Sequence, residues 1–194
     1  MDLTGKKIGV AITGSFCTLS RCLNMIRQLV DTGCDVTPIF SEKVASTDTR
    51  FFLATDFWNR VVELTGKSPI TDIVGAEPIG PKRMFDVLLV APCTGNTLAK
   101  LANSMTDGAV TMACKAHLRN DRPLVIAVST NDGLSGSAKN IGKLLNYRNV
   151  YFVPFGQDDP IKKARSLVAD FEKVVPTLEK ALDGEQIQPI IVAK

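Results

Sequence analysis

The sequence has one histidine in 194 residues, and its five cysteines form no CxxC pair. Zinc sites draw their ligands from clusters of these two residue types, so the sequence predicts no metal site. The cysteines are odd in number and widely spaced, which is typical of reduced intracellular thiols rather than of a disulfide framework. They are Cys17, Cys22, Cys34, Cys93 and Cys114.

The sequence also has little excess of either charge, because the formal net charge is only +3 and no block of like charges occurs. A nucleic-acid-binding protein needs a basic face or stacking aromatic residues, and the sequence pattern shows neither. No apolar run approaches the roughly 18 residues of a membrane span. No apolar segment typical of a signal peptide follows Met1. We therefore expect a cytoplasmic protein that binds neither nucleic acid nor membrane.

What the sequence does contain is a regular alternation of short β-branched runs and amphipathic stretches. Apolar residues make up 45% and charged residues 22% of the chain, ordinary values for a globular protein. Without a linker or repeat, this length predicts one domain over residues 1–194. The alternation predicts an α/β fold, a doubly wound and mainly parallel sheet with helices on both faces, as in Rossmann-like and flavodoxin-like three-layer sandwiches.

Hydrophobic periodicity places the individual elements. The predicted strands are Lys6–Ile12, Asp35–Phe40, Met84–Pro92, Pro123–Thr130 and Asn149–Phe155. The predicted helices are Thr18–Gly33, Asp48–Leu64, Asn96–Ser104, Gly108–Arg119, Ser137–Tyr147 and Pro160–Leu182. Pro38 indicates an edge strand or a bulge, and Gly33 indicates a left-handed helix end. Residues 68–82 are rich in Gly and Pro and are expected to be irregular.

Small polar residues follow four of the predicted strands. Parallel α/β sheets bind ligands beyond the carboxyl ends of their strands, so this convergence predicts a pocket there. Hydroxyl groups beside a helix start suit a phosphate, whereas amide groups suit a polar ring or a carboxylate. The residues are Gly14, Ser15 and Thr18, then Ser41, then Thr94, Gly95, Asn96 and Thr97, and finally Ser129, Thr130 and Asn131.

Structural roles compete with binding roles at several positions. A plain strand-to-helix turn explains Gly14, and helix capping explains Ser41 or Asn96 singly, although not the whole cluster. Cys93 has no neighbour in sequence that would favour its thiolate, so we interpret it as a small pocket-lining residue rather than a nucleophile. His117 is interpreted as a helix C-terminal cap.

Four aromatic residues fall within one predicted helix. Core packing is the default interpretation, and an oligomer contact or a lid over the pocket is the alternative. The residues are Phe51, Phe52, Phe57 and Trp58.

The stretch APCTGNTLAKLANSMTDGAV, residues 91–110, resembles the P-A-S-A-N-T signature of the FMN-binding flavoprotein superfamily. That group includes the homo-oligomeric flavin-containing cysteine decarboxylases and the flavin prenyltransferases. The resemblance implies FMN bound in a homo-oligomer. It places Gly14, Ser15, Phe16 and Ser41 at the phosphate and ribityl chain. It places Thr94, Gly95, Asn96 and Thr97 at the isoalloxazine and substrate, and Ser129 and Thr130 beside the ring.

Within the superfamily, the segments AEPIGPKRMFDVLLVAPCTGNT and NVYFVPFGQDDPIKKARSLVADF resemble the B subunits of dipicolinate synthase. The resemblance implies a sporulation role in the mother-cell cytoplasm of a spore-forming bacterium. With the A subunit of dipicolinate synthase, which binds NADP, the chain would oxidise dihydrodipicolinate to dipicolinate, pyridine-2,6-dicarboxylate. Asn96 and Asn131 are then the expected catalytic-site residues, which hold the two carboxylates.

The sequence also departs from the superfamily. The cysteine decarboxylases use a histidine before the central strand and a cysteine late in the chain, and this sequence has neither. The prenyltransferases carry a glutamate where this sequence reads Ser129-Thr130-Asn131. Cys93 and Thr94 occupy the A-S part of the signature, and Gly95 replaces its second alanine. The missing histidine, late cysteine and glutamate argue against both chemistries, because these are the residues that would act as general acid or base.

Three functions remain open at this point. In the first, FMN on this chain accepts a hydride from the substrate. In the second, the A subunit oxidises the substrate with its nicotinamide, and this chain is a non-catalytic binding or assembly subunit of the complex. The third is a decarboxylase-like or prenyltransferase-like flavoprotein.

Overall fold

The computed structural model describes residues 2–192. Its strands are β1 (Lys7–Ile12), β2 (Asp35–Phe40), β3 (Val87–Cys93), β4 (Leu124–Thr130), β5 (Val150–Phe152), β6 (Phe155–Gly156) and β7 (Leu167–Ala169). Its α-helices are α1 (Leu19–Asp31), α2 (Glu42–Ser46), α3 (Ala54–Thr65), α4 (Ile73–Ala76), α5 (Gly95–Ala102), α6 (Ala109–Leu118), α7 (Ala138–Leu144) and α8 (Val174–Leu182). Short 3₁₀ turns lie at Phe16–Thr18, Glu77–Ile79 and Phe171–Lys173. Within residues 2–192, no helix combines the length and apolarity needed to cross a membrane.

The sheet is mostly parallel, and its strand order reverses between β1 and β3. The order is β2-β1-β3-β4-β7-β6, with β5 paired in parallel to β4. The five parallel strands therefore run 2-1-3-4-5, the flavodoxin-like order, in which ligands bind at the β1/β3 switch point. β7 pairs antiparallel with both β4 and β6. The predicted fold class is confirmed.

Helices cover the sheet in two groups, since α1 and α8 pack together while α6 packs against β2, β3, β4 and α5. Every residue of β3 is buried, and so is every residue of β4 except Thr130. A strand that is buried on both faces reads as a continuous apolar run, which is why these strands were predictable. The same burial leaves only their carboxyl ends free to meet a ligand.

Two local predictions about the first β-α-β unit are confirmed. β2 is an edge strand, so Pro38 removes a backbone donor where no further strand needs it. Gly33 has φ +79°, the left-handed conformation that ends α1.

The predicted helix Pro160–Leu182 is wrong. Residues 157–166 form a loop, Leu167–Ala169 form β7, and only Val174–Leu182 form α8. Leu167 and Val168 instead pair with the end of β4, and Ala169 pairs with Phe155 of β6. The predicted strand Asn149–Phe155 also divides into β5 and β6, which pair with different neighbours.

The helix predicted from Asp48 begins later, at Ala54. The Asp48 carboxylate accepts a hydrogen bond from the Ala54 N–H at 2.8 Å, so it satisfies a free donor at the helix start across an intervening turn. Phe57 is buried in the core, which confirms core packing for that residue, whereas Phe51 is 45% exposed. The aromatic group therefore divides between the core and the surface.

Candidate functional site

The switch point between β1 and β3 is fixed by one buried hydroxyl. Thr13 follows β1, and its Oγ1 donates to the Pro92 carbonyl at 2.7 Å and accepts from the Thr94 N–H at 3.0 Å. Thr94 in turn caps α5, because its Oγ1 accepts from the Thr97 N–H at 3.3 Å. The loop after β1 and the start of α5 are thus held together at the ligand-binding edge of the sheet. Thr94, not Asn96, caps this helix.

Two cavities open at this edge, one on each side of Gly14, Phe16 and Thr94, which line both. The first has a volume of about 440 Å³, and we name it the helix-end cavity because the starts of α2, α5 and α6 line it. Its other lining residues are Thr13, Ser41, Glu42, Lys43, Asn96, Thr97, Lys100, Asp107, Gly108, Ala109, Val110 and Thr111.

The starts of two helices, α5 and α6, lie at the helix-end cavity. The first N–H groups of a helix have no partner within it, so a helix start carries positive partial charge. Ser41 caps α2 by accepting from the Val44 N–H at 3.4 Å, and its side chain also lines the cavity. The charged pair Lys100–Asp107, 2.7 Å apart, neutralises itself, and the hydrogen bond from Lys100 holds the pKa of Asp107 below its ordinary value. Such a site suits a phosphate.

The second cavity has a volume of about 500 Å³. We name it the basic cavity because Arg21, Arg50 and Lys163 line it. It faces the ends of β1 and β4 and the loop that precedes β7. Its other lining residues are Ser15, Cys17, Thr18, Phe51, Ser129, Thr130, Asn131, Asp158, Ser166 and Val168.

A chain of hydroxyl contacts builds the wall of the basic cavity. Ser15 Oγ and Ser129 Oγ lie 2.8 Å apart and join the loop after β1 to the end of β4. Beside them, Asp132 Oδ1 accepts hydrogen bonds from Thr130 Oγ1 at 2.5 Å and from Ser137 Oγ at 2.8 Å. The Thr130 hydrogen bond above all holds the pKa of Asp132 below its ordinary value. The Asp132 carboxylate therefore orients the Thr130 and Ser137 hydroxyls.

Gly95 has a packing role that the sequence did not reveal. A Cβ at Gly95 would lie 2.5 Å from Ser137 Oγ, 2.7 Å from Thr130 Oγ1 and 2.8 Å from Asp132 Oδ1. The start of α5 can approach the wall of the basic cavity only because residue 95 lacks a side chain. Gly95 does not itself line either cavity.

The structure divides the predicted site residues between the two cavities. Gly14, Phe16 and Thr94 line both, and Ser41, Asn96 and Thr97 line the helix-end cavity. Ser15, Ser129, Thr130 and Asn131 line the basic cavity. Asn96 and Asn131 are both exposed and face different cavities. Ser41 therefore shares a cavity with Asn96 and Thr97, which follow β3, and not with Ser15.

Cys93 and His117 lie away from these cavities. Cys93 is fully buried, and burial, with a smaller contribution from Cys114, raises the pKa of its thiol well above the ordinary value. The expectation that Cys93 lines the pocket is wrong, and its burial opposes a nucleophilic role. His117 is 1% exposed, its Nε2 lies 3.0 Å from the Pro123 carbonyl, and burial lowers its pKa to about 4. It anchors α6 to the start of β4 rather than capping α6.

Sequence reasoning missed the charged residues of the site. Arg21, Arg50, Asp158 and Lys163 come from three separate segments, and solvated side chains at a helix start or in a loop carry no local signal of convergence. Asp132 did have a signal, because it directly follows the Ser129–Asn131 cluster. An acidic residue there can order neighbouring hydroxyl groups.

Comparison with known proteins places this geometry in context. The B subunit of dipicolinate synthase from Bacillus subtilis (strain 168) is 46% identical over 191 residues, which cover 98% of this chain and 96% of that protein. The crystal structure of the corresponding B subunit from Bacillus halodurans C is 43% identical, covers all of both chains and superposes with a TM-score of 0.92.

More distant structures share the fold alone. The FMN-dependent cysteine decarboxylase SpaF is 19% identical and has a TM-score of 0.65 over 94% of this chain and 98% of its own. The Flavoprotein family matches residues 1–182, nearly the whole chain and both cavities. The chain is therefore a member of the Flavoprotein family.

Proposed function

We propose that this chain is the B subunit of a dipicolinate synthase. The observation that carries the proposal is the likeness to two proteins of that name, at 46% and 43% identity over essentially the whole chain. In this role the chain acts with the nicotinamide-binding A subunit, which carries NADP, to oxidise dihydrodipicolinate to dipicolinate. We place this activity in the cytoplasm of a sporulating cell, and we assign it to one flavoprotein domain spanning residues 1–194.

We also propose that the chain binds FMN, and the side chains at the switch point fit this cofactor. The helix-end cavity offers Ser41, Thr94 and Thr97 hydroxyls beside two helix N-termini, a donor set that suits the phosphate. Gly14 and Phe16 line both cavities, so the ribityl chain and the ring would pass them between one cavity and the other. Ser15, Ser129 and Thr130 would meet the ring on the far side, and Gly95 lets the two walls approach.

Oxidation of the dihydropyridine removes one hydride and one proton, and the product is an aromatic ring. Bound FMN would supply a two-electron acceptor for that hydride. The chain's own part is to bind and orient. We propose that Asn131 donates its amide to a substrate carboxylate in the basic cavity and that Asn96, which lines the helix-end cavity, contacts the flavin. We assign the proton to solvent at the cavity mouth, because the nearby Asp158 carboxylate is bound to Lys163 at 3.0 Å.

The proposal extends to assembly. Both cavities open to the surface, and we propose that they are completed in a homo-oligomer and by the A subunit of the synthase. The exposed Leu53, close in sequence to Phe51 of the basic cavity, supplies apolar surface for such a contact.

The test is co-expression of this chain with its nicotinamide-binding partner, followed by a cofactor inventory and an assay. We expect a yellow protein that releases FMN on denaturation and a complex that forms dipicolinate. Asn96→Ala and Asn131→Ala should each raise KM or lower kcat while the fold is retained, since each removes hydrogen bonds worth about 1 kcal/mol. An active complex in which this chain stays colourless, even with added FMN, would instead favour a chain that only binds or assembles.

A further inference from the structure

The two cavities differ in formal charge. In the helix-end cavity, Lys43 and Lys100 are balanced by Glu42 and Asp107. Among the residues that line the basic cavity, three cations face one carboxylate, Asp158, which is paired with Lys163 at 3.0 Å. Arg21 and Arg50 remain, and the Asp132 carboxylate lies behind the wall, bound to Thr130. Within residues 2–192, neither Arg21 nor Arg50 forms an ion pair. Both arginines are therefore available to a ligand.

Arg50 is presented by a closed turn. The Thr49 N–H donates to the Phe52 carbonyl at 2.9 Å. The Thr49 Oγ1 accepts from the N–H groups of Phe51 and Phe52, at 3.2 and 3.3 Å. The Arg50 guanidinium lies 4.9 Å from the centre of the Phe51 ring. This turn places a cation and an exposed aromatic face side by side at the cavity.

Lys163 reaches the same cavity from a folded loop. Its N–H donates to the Asp159 carbonyl at 2.8 Å, and its carbonyl accepts from the Ser166 N–H at 2.9 Å. The Leu134 N–H donates to the Arg165 carbonyl at 2.9 Å, which ties this loop to the segment after β4. Arg21 lies in the first turn of α1, where the helix dipole also favours an anion.

We propose that Arg21 and Arg50 bind the two carboxylates of a flat aromatic or dihydroaromatic dicarboxylate, with Phe51 against its ring and the Lys163–Asp158 pair beside them. This inference deepens the proposed function and rests on it. Two cations on separate segments match two separated carboxylates better than one compact phosphate. The other dianion at hand, the FMN phosphate, has its donor set in the helix-end cavity.

The test is titration calorimetry of the FMN-loaded protein with pyridine-2,6-dicarboxylate and with pyridine-2-carboxylate, repeated on protein without added flavin. We expect the dicarboxylate to bind at least tenfold more tightly than the monocarboxylate. Arg50→Gln and Arg21→Gln should each weaken dicarboxylate binding about tenfold, the loss expected for one charge-assisted hydrogen bond. Arg50→Lys should recover part of it. Arg27→Gln, on the exposed side of α1 and outside both cavities, should bind as the wild type does.

Equal affinity for the two acids, or no binding of either in both states, would overturn the proposal. It would also be overturned if Arg50→Gln and Arg21→Gln lost FMN but not riboflavin while dicarboxylate binding stayed unchanged, because the cations would then hold the cofactor phosphate. Failure of the proposed function has a different signature. The complex with the nicotinamide-binding partner would form no dipicolinate, yet the dicarboxylate would bind with the expected preference.

Discussion

The helix-end cavity and the basic cavity share a wall but use different physics. The first presents the N-termini of α5 and α6 and side chains whose formal charges cancel. The second presents side-chain cations, two of them without an ion pair in the described chain, and hydroxyl groups ordered by Asp132. Backbone donors are fixed in place by the fold, whereas arginine and lysine adapt to the ligand. The difference suggests one cavity for a permanent phosphate and the other for an exchanging anion.

Thr13 holds together the two segments that separate the cavities, which are the loop after β1 and the start of α5. Thr13→Val should therefore have the largest effect. Valine keeps the volume but leaves the Thr94 N–H without its acceptor and removes a donor to the Pro92 carbonyl. We expect a loss of about 3 kcal/mol in the free energy of unfolding, together with loss of FMN binding. Urea unfolding and flavin fluorescence measure the two effects.

Thr13→Ser is the matched control, because it keeps both hydrogen bonds and loses one buried methyl group, at a cost of about 1 kcal/mol. If valine and serine behaved alike, the hydroxyl would not be what holds the two segments together.

Gly95→Ala should have the next largest effect, because it forces the shared wall apart. The new Cβ would contact Ser137, Thr130 and Asp132 at distances that require a shift of the wall. We expect a loss of about 2 kcal/mol in unfolding free energy and weaker binding in the basic cavity. Gly142→Ala is the control, since that exposed helical position is open and alanine there should stabilise by about 0.5–1 kcal/mol. A Gly95→Ala protein as stable as the wild type would mean that the walls do not meet as described.

The shared wall also shows what could be predicted from the sequence. β3 and the first five residues of β4 are apolar runs, so the position of these strands at the centre of the sheet and the polar residues that follow each run were predictable from local pattern. The β7 strand is only three residues long and pairs with the end of β4 in antiparallel orientation. Its partner is far away in sequence, so local periodicity favoured a helix.

The candidate site followed the same division. Residues after strands, such as Ser15, Thr94 and Ser129, were predictable because the carboxyl ends of parallel strands share one edge. Arg50 and Lys163 were not, because loops of no fixed period carry them to that edge. Each cavity was thus predictable at its strand ends and not at its charged residues.

Cys17 reports directly on what occupies the basic cavity. It is the exposed cysteine of the five, and it lines that cavity. Iodoacetamide, which is neutral, should therefore alkylate one thiol quickly in the native protein, and Cys17→Ser should remove that fast phase. Saturating pyridine-2,6-dicarboxylate should slow the reaction severalfold, measured by mass spectrometry over time. An unchanged rate at saturation would place the dicarboxylate elsewhere.

The smallest expected effect is on the acid dependence of unfolding, which should differ between Asp132, at the basic cavity, and Asp107, at the helix-end cavity. Asp132 has a lowered pKa in the fold, so the unfolded chain binds its proton more readily. Its contribution to stability is therefore complete above the ordinary aspartate pKa of about 3.9 and is lost as the pH falls through its lower pKa in the fold. Asp132→Asn should cost less than about 1 kcal/mol at pH 7 and should make unfolding less sensitive to acid below about pH 4.

Asp107→Asn is the comparison for that measurement. Asp107 pairs with Lys100 in the helix-end cavity, and its carboxylate is open to solvent, where water and salt screen the pair. We expect its substitution to leave the acid dependence of urea unfolding nearly unchanged. If Asp107→Asn flattened the acid dependence as much as Asp132→Asn, the carboxylate beneath the basic cavity would have no special part in ordering its wall. Asp132, which binds hydroxyl groups, would then not differ from Asp107, which pairs with Lys100.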